Sequence, residues 1–225
     1  MKKHSIFILF LTFIMLFILI FCINKVNARS NDNNITIYLD AGHGGFDGGA
    51  TSLDKSVIEK DVTLNATLIL KTYLEKVGYI VNLTREKDVA LSKNKKDDIY
   101  KRVELINKKD TDLYISIHAN SYPSKNVLGA QTFYSTHIEE NKKIAEKIMK
   151  YLKLSDKDNK RNAKDIKGKY LLEHTNTVGC LVELGFLTND IDLKRLTDES
   201  MLKETMFMVY LGILEYIEEL NIWKK

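Results

Sequence analysis

Cysteine is almost missing from these 225 residues: only Cys22 and Cys180 occur. Cys22 falls in an apolar leader, so the remainder carries a single thiol. That excludes an internal disulfide and leaves packing, with or without a bound metal, to stabilise the fold. An excess of one charge is lacking too. The formal net charge is +4, and Lys2, Lys3 and Lys25 of the leader account for three of those charges, leaving +1 for the rest. A near-neutral domain is a poor partner for nucleic acid. The chain has one proline, no internal repeat and no low-complexity tract, which excludes a repeat array. What is present is an ordinary globular balance, 44% hydrophobic and 28% charged, sized for one compact domain behind a leader.

Lys2, Lys3 and His4 precede an uncharged apolar run over 5–23. At about 1.5 Å per residue this run is long enough to cross a bilayer. Basic residues ahead of it predict an N-in orientation, a leader in contact with the membrane and export of everything that follows. Val26 and Ala28 offer the small residues a signal peptidase reads, whereas the length of the run favours a retained anchor. Both readings stay open. Phe21 before Cys22 argues against a lipidation box. The expected division is a signal peptide or membrane anchor over 1–28, a short linker over 29–34 and a catalytic domain over 35–225.

From Ile35 onward, apolar runs alternate with helical spacing, the pattern of an α/β fold with a largely parallel sheet. Strands are expected over 35–39, 79–84, 112–117, 130–134 and 179–183. Val62, Ala66, Ile69 and Tyr73 predict a helix over 59–77 ended by Gly78. Ile99, Val103 and Ile106 mark a second, Ile144, Ile148 and Leu152 a third, and 201–220 a long last one. The charged stretch 155–169 has no period and reads as a loop.

His43 follows the first strand, His118 the third, and Glu183 closes the fifth. Ligands of open α/β sheets collect at the carboxyl ends of strands, so residues far apart in sequence are aimed at one crevice. His43 sits in a loop over 40–49 with five glycines, which lets backbone turn sharply and approach a ligand closely. The loop lacks the Gly-Lys-Ser/Thr ending of a phosphate cradle. Ser56 and Glu59 match a Ser-x-x-Glu capping box, and on spacing alone Glu59 reads better as a cap than as a ligand. Either histidine alone would read as a satisfied buried residue, but the two together favour metal ligation. Two imidazoles and a carboxylate are the donors zinc takes when a fourth position stays open. Glu183 lies between Val182 and Leu184, and a carboxylate among apolar neighbours is costly without a role or a partner. It suits proton transfer, with a fourth metal ligand or a buried ion pair as rivals.

Together these segments resemble the zinc-dependent N-acetylmuramoyl-L-alanine amidases of bacterial cell walls, the amidase type 3 family, over 35–220. The carriers are the Gly-His-Gly-Gly loop with His43, Glu59 with Asn65, the Ser-Ile-His-Ala-Asn segment with His118 and Asn120, and Glu-Leu-Gly-Phe with Glu183 followed by Asn189. Thr84, Arg85, Asp88, Arg102, Asn107 and Asn176 are weaker marks, and Arg85 reads equally as an ion-pair residue. The chain departs from the pattern at Ala41, where proline is commoner, and near Arg161 and Asn162, where glycine is usual, which leaves the substrate-side loop 155–170 without a template.

The resemblance implies a single α/β domain, a mixed and mostly parallel sheet of about six strands flanked by helices. It moves Glu59 into the shell of one Zn²⁺ with His43 and His118 and makes Glu183 the proton carrier. The implied reaction cuts the amide between N-acetylmuramic acid and L-alanine of the peptidoglycan stem peptide. Asn120, Arg85, His174 and Asn176 are the candidates for substrate contact. A catalytic domain directly behind a leader looks most like the spore-cortex, germination-linked members. That would place it at the outer face of the membrane or in the cell-wall space, in a spore former between the forespore membranes, acting in muramic lactam formation. An activating protein partner is not readable. Two rivals remain: a metal-bearing wall-binding or interaction protein without turnover, and a zinc peptidase cutting within the stem, for which no His-Glu-x-x-His helix exists.

Overall fold

The computed structural model describes residues 35–223, so the leader, its cleavage and the boundaries at 28 and 34 lie outside the described residues. The elements run β1 (Thr36–Ala41), α1 (Glu59–Lys76), β2 (Ile80–Leu83), α2 (Lys95–Ile106), β3 (Leu113–Asn120), β4 (Gln131–Tyr134), α3 (Glu140–Ser155), β5 (Lys164–Asp165), α4 (Tyr170–His174), β6 (Val178–Phe186), α5 (Asp190–Thr197) and α6 (Glu199–Trp223). They form one six-stranded sheet of order β2-β1-β3-β6-β4-β5. Strands β2, β1, β3 and β6 are mutually parallel, and β4 runs antiparallel to β6 with β5 parallel to β4 at the edge. The mixed, mostly parallel sheet is the expected one.

Central position explains composition. Every residue of β1 is buried, because helices cover both of its faces, and the strand reads as a continuous rather than an alternating run. On one face Val62, Ala66, Leu70 and Leu74 of α1 join Ile144 and Ile148 of α3 and Met206, Val209 and Ile213 of α6 against Ile37, Leu39, Ile115, Ile117 and Val182. On the other, Val103 and Ile106 of α2 and Leu171 and Leu172 of α4 pack on Tyr38, Tyr114 and Leu181. A fully buried leucine such as Leu70 contributes about 1.5–3 kcal/mol.

The stretch 155–169 is less irregular than its sequence, since Lys164 and Asp165 pair with Phe133 and Tyr134. Two residues are too few to display a period. The helices α4 and α5 escape sequence reading for the same reason, with five and eight residues. Asn189, the last member of the Glu-Leu-Gly-Phe signature, is the N-cap of α5 and accepts from Ile191 N and Asp192 N, both at 3.0 Å.

Beneath the carboxyl ends of β1 and β3 lies a buried polar network. Asp40 Oδ1 accepts from Thr84 Oγ1 at 2.8 Å and Arg102 Nη1 at 2.7 Å, and Oδ2 accepts from Ser116 Oγ at 2.6 Å. Burial alone would raise the Asp40 carboxyl, but the Arg102 guanidinium, the Ser116 hydroxyl and the nearby His118 outweigh it and hold the group below its ordinary value. A carboxyl depressed in the folded state stabilises fully above its unfolded value of about 3.9, and that contribution is lost as pH falls through the lower folded value. Asp40→Asn should therefore lower stability at pH 7 by about 3 kcal/mol, because Arg102 loses a buried partner. It should also remove part of the acid sensitivity below about pH 4. Urea unfolding at pH 7 and pH 3.5 checks this, and equal stability losses at both would refute it.

Candidate active site

The loop after β1 brings His43 over the sheet in a left-handed conformation, φ 62°, which a histidine adopts only when its surroundings hold it. Two buried arginines do so through the backbone. Arg102 donates to Ala41 O at 2.7 Å and His43 O at 2.6 Å. Arg85 donates to Ala41 O and Gly42 O, both at 3.0 Å, and to Lys60 O at 2.7 Å. The expectation that Arg85 touches substrate is thereby corrected: it is 3% exposed and its donors go to carbonyl oxygens that fix the loop.

Glycine is required here by close approach. A β-carbon on Gly42 would stand 2.4–2.7 Å from three atoms of the His118 ring, and one on Gly49, at φ 72°, would stand 2.4 Å from Glu59 Oε2. These positions let backbone pack directly against the functional side chains.

His43, Glu59 and His118 offer ligand atoms that all lie within 4.8 Å of one another. Glu59 is the first residue of α1, whose N-cap is Ile58 with no side-chain cap bond, and the Ser56 hydroxyl donates to Asp54 instead. The capping-box reading of Glu59 is thus overturned by where the helix begins. Glu59 Oε1 lies 3.1 Å from His43 Nε2 and 2.8 Å from His118 Nδ1, while Oε2 accepts from Ala50 N at 2.7 Å. His43 Nδ1 lies 2.9 Å from Asp47 Oδ2, so the two ring nitrogens face two carboxylates, and a proton held on Nδ1 by Asp47 leaves Nε2 turned toward Glu59. A proton on Nε2 completes this contact as a hydrogen bond, and with Nε2 unprotonated the same two atoms are available as donors to one shared metal ion. The separations also approach the roughly 3.3 Å edge of a tetrahedron with bonds of about 2.0 Å.

The electrostatics agree with a site built for positive charge. Burial would raise the Glu59 carboxyl, yet His118 and His43 hold it well below the usual carboxylate range. Burial would lower His43, yet Glu59 and Asp47 raise it. Asp47 also receives Lys95 Nζ at 2.6 Å. It was not singled out from the sequence, although an acid four residues beyond a ligating histidine is the partner such rings commonly take.

Glu183 is the register partner of His118 on adjacent parallel strands, so their side chains rise from the same face about 5 Å apart in backbone. It lines a crevice of about 250 Å³ with His43, Glu59, His118, Asn120, Lys169 and Tyr170. Enclosure raises its carboxyl, with His118 opposing and Glu59 reinforcing the shift. Its Oε2 is buried with no hydrogen-bond partner among the described residues. A buried acceptor of this kind facing a crevice suits a group that exchanges a proton there.

Asn120 reaches the crevice, as expected. Asn176 does not: it precedes β6, at the opposite end of the sheet from Glu183, and its backbone N–H donates to Asn107 Oδ1 at 2.7 Å. Seven residues of extended chain put it roughly 20 Å from Glu183. His174 is exposed and stacks on Tyr170 with ring centroids 3.8 Å apart, so it backs a wall of the crevice without lining it.

Residues 37–215 match the family described as N-acetylmuramoyl-L-alanine amidase. The chain is 37% identical over 226 residues to a germination-specific N-acetylmuramoyl-L-alanine amidase of Bacillus subtilis (strain 168), covering 93% of this chain and 94% of that protein. It is 32% identical over 215 residues to an uncharacterized cell wall amidase of Bacillus anthracis, covering 89% of this chain but 39% of that longer protein. Among solved structures it resembles the CwlD amidase from Clostridioides difficile in complex with the GerS lipoprotein, with TM-score 0.78 and 38% identity, covering 82% of this chain and 99% of that one.

Proposed function

The chain belongs to the N-acetylmuramoyl-L-alanine amidase family and is a peptidoglycan amidase, and on that premise we propose how its residues divide the work. His43, Glu59 and His118 hold one Zn²⁺, and Glu183 carries the proton. The observation that supports this best is the convergence of ligand atoms of His43, Glu59 and His118 within 4.8 Å of one another, beside a partnerless Glu183 oxygen. Zinc, when bound, supplies Lewis acidity to the scissile carbonyl and to water. Glu183 takes the proton of the attacking water as the new C–O bond forms at the amide carbon. It returns that proton to the alanine nitrogen as the C–N bond breaks. The products are a lactyl carboxylate on the glycan and a stem peptide with a free amino terminus. Asp47 holds the His43 ring, and Asn120 contributes a polar wall for substrate.

The site of action proposed is the spore cortex, in muramic lactam formation needed for germination, by analogy with the germination-specific relative. Residues 1–28 act as signal peptide or membrane anchor and 29–34 as linker, placing the enzyme outside the cytoplasm, in a spore former between the forespore membranes. A protein partner is proposed by analogy with the Clostridioides difficile complex.

The experiment is metal analysis of the purified protein followed by digestion of cortex and vegetative peptidoglycan, with products read by mass spectrometry. About one zinc per chain and free lactyl carboxylate on the glycan are expected. Stoichiometric zinc without amide cleavage on either substrate would instead favour a metal-bearing binding protein, and cuts within the stem peptide would favour a peptidase.

A further inference from the structure

Resting on that reading, we propose that Lys169 and Arg161 form a carboxylate-binding side of the crevice that selects stem peptides with a free carboxylate on the residue after L-alanine. Direction comes first. Glu183 returns its proton to the alanine nitrogen, so the departing peptide lies against Glu183, away from the cluster of His43, Glu59 and His118. Across the sheet the register runs His118, Glu183, Gln131, the last through the antiparallel pairing of β4 with β6. Residues in register share a face, so the row past Glu183 continues with Gln131.

Gln131 accepts from Arg161 Nη1 at 2.8 Å, and Arg161 is held further by Leu128 O at 2.9 Å and by the Phe186 ring, 4.7 Å from its guanidinium carbon. Phe186 is in turn the register partner of Asn120, which lines the crevice. Arg161 is thus anchored beside Gln131 on the sheet face that carries Glu183, next to the crevice and outside its lining, with Nη2 uncommitted among the described residues. Lys169 lines the same crevice, is exposed, and its ammonium has no ion-pair partner among the described residues. Lys169 lies near enough to Glu183 for their charges to interact, so both cations border the proton carrier and complement an anionic peptide leaving past it. Peptidoglycan stems supply one, since the residue after L-alanine is acidic and linked through its side chain, leaving the α-carboxylate free or, in some walls, amidated.

The test compares muropeptides that differ only in free acid or amide at that residue, with the zinc-loaded enzyme. Wild type should show a lower KM for the acid form. Lys169→Met should raise that KM about tenfold relative to the KM for the amidated form, with any change in kcat shared by both substrates, and Lys169→Glu should invert the preference. Because Lys169 is exposed and unpaired, these variants should fold. Binding of the released peptide, acid against amide, to the zinc-loaded Glu183→Gln protein supplies a second readout that needs no turnover. Tighter acid binding that disappears with Lys169→Met supports the proposal even if no muropeptide is cleaved. Equal binding of acid and amide by wild type, or a Lys169→Met loss in KM and binding of the same size on acid and amide, overturns it.

Discussion

Glu183→Gln should lower amide turnover by at least about 10³-fold while leaving the zinc content of the protein unchanged. Glutamine keeps the shape and length of the side chain, so β6, its pairing with His118 and the crevice wall stay in place. What it loses is the ability to accept a proton from water and deliver it to the leaving nitrogen. The new amide places an NH₂ where Oε2 is buried without a partner. The unsatisfied donor costs about 1–3 kcal/mol, too little to unfold a domain of this size and visible as a small drop in Tm. Measuring zinc by mass spectrometry alongside peptide release separates two roles for one residue. Loss of metal together with activity would make Glu183 a fourth ligand that closes the site, and wild-type turnover would remove it from the mechanism.

How much of this site could be read from sequence depends on what each residue answers to. His43, His118 and Glu183 were legible because alternation of strand and helix patterns implies parallel strands, and parallel strands aim their carboxyl ends at one place. Glu59 was not legible from spacing, because a helix start and a metal ligand share the same local pattern; the family resemblance chose the ligand, and the N-cap at Ile58 removes the capping-box alternative. Arg85 was left open between substrate contact and an ion pair. A charged residue after a strand looks available to substrate, but three-dimensional closure gives its guanidinium to the carbonyls of Ala41 and Gly42. Asn176 was misread in direction, since nearness in sequence to the strand bearing Glu183 places it at the wrong end of that strand. Lys169 and Arg161 left no trace in periodicity. Their relation to Glu183 runs through the β4–β6 register and the edge pairing of β5, neither of which a charged stretch without a period discloses.

The second large effect is expected at His118, whose replacement by alanine should abolish both zinc retention and turnover. The two imidazoles share one oxygen of Glu59, so removal of either leaves a buried carboxylate with a single imidazole partner and too few donors for a four-coordinate ion with an open position. His43→Ala should behave alike, with the added loss of the Asp47 contact. Stability gives a readout independent of activity. A ligand that binds only the folded state stabilises it by about 2.7 kcal/mol at one hundred times its dissociation constant. Wild type should therefore gain several degrees in Tm on zinc addition, and His118→Ala should gain none. Asn120→Ala is the control, since Asn120 lies two residues along the same strand and lines the same crevice without belonging to the cluster. It should retain the zinc-dependent rise. If His118→Ala kept that rise while Asn120→Ala lost it, the metal shell would have been drawn around the wrong residues of β3.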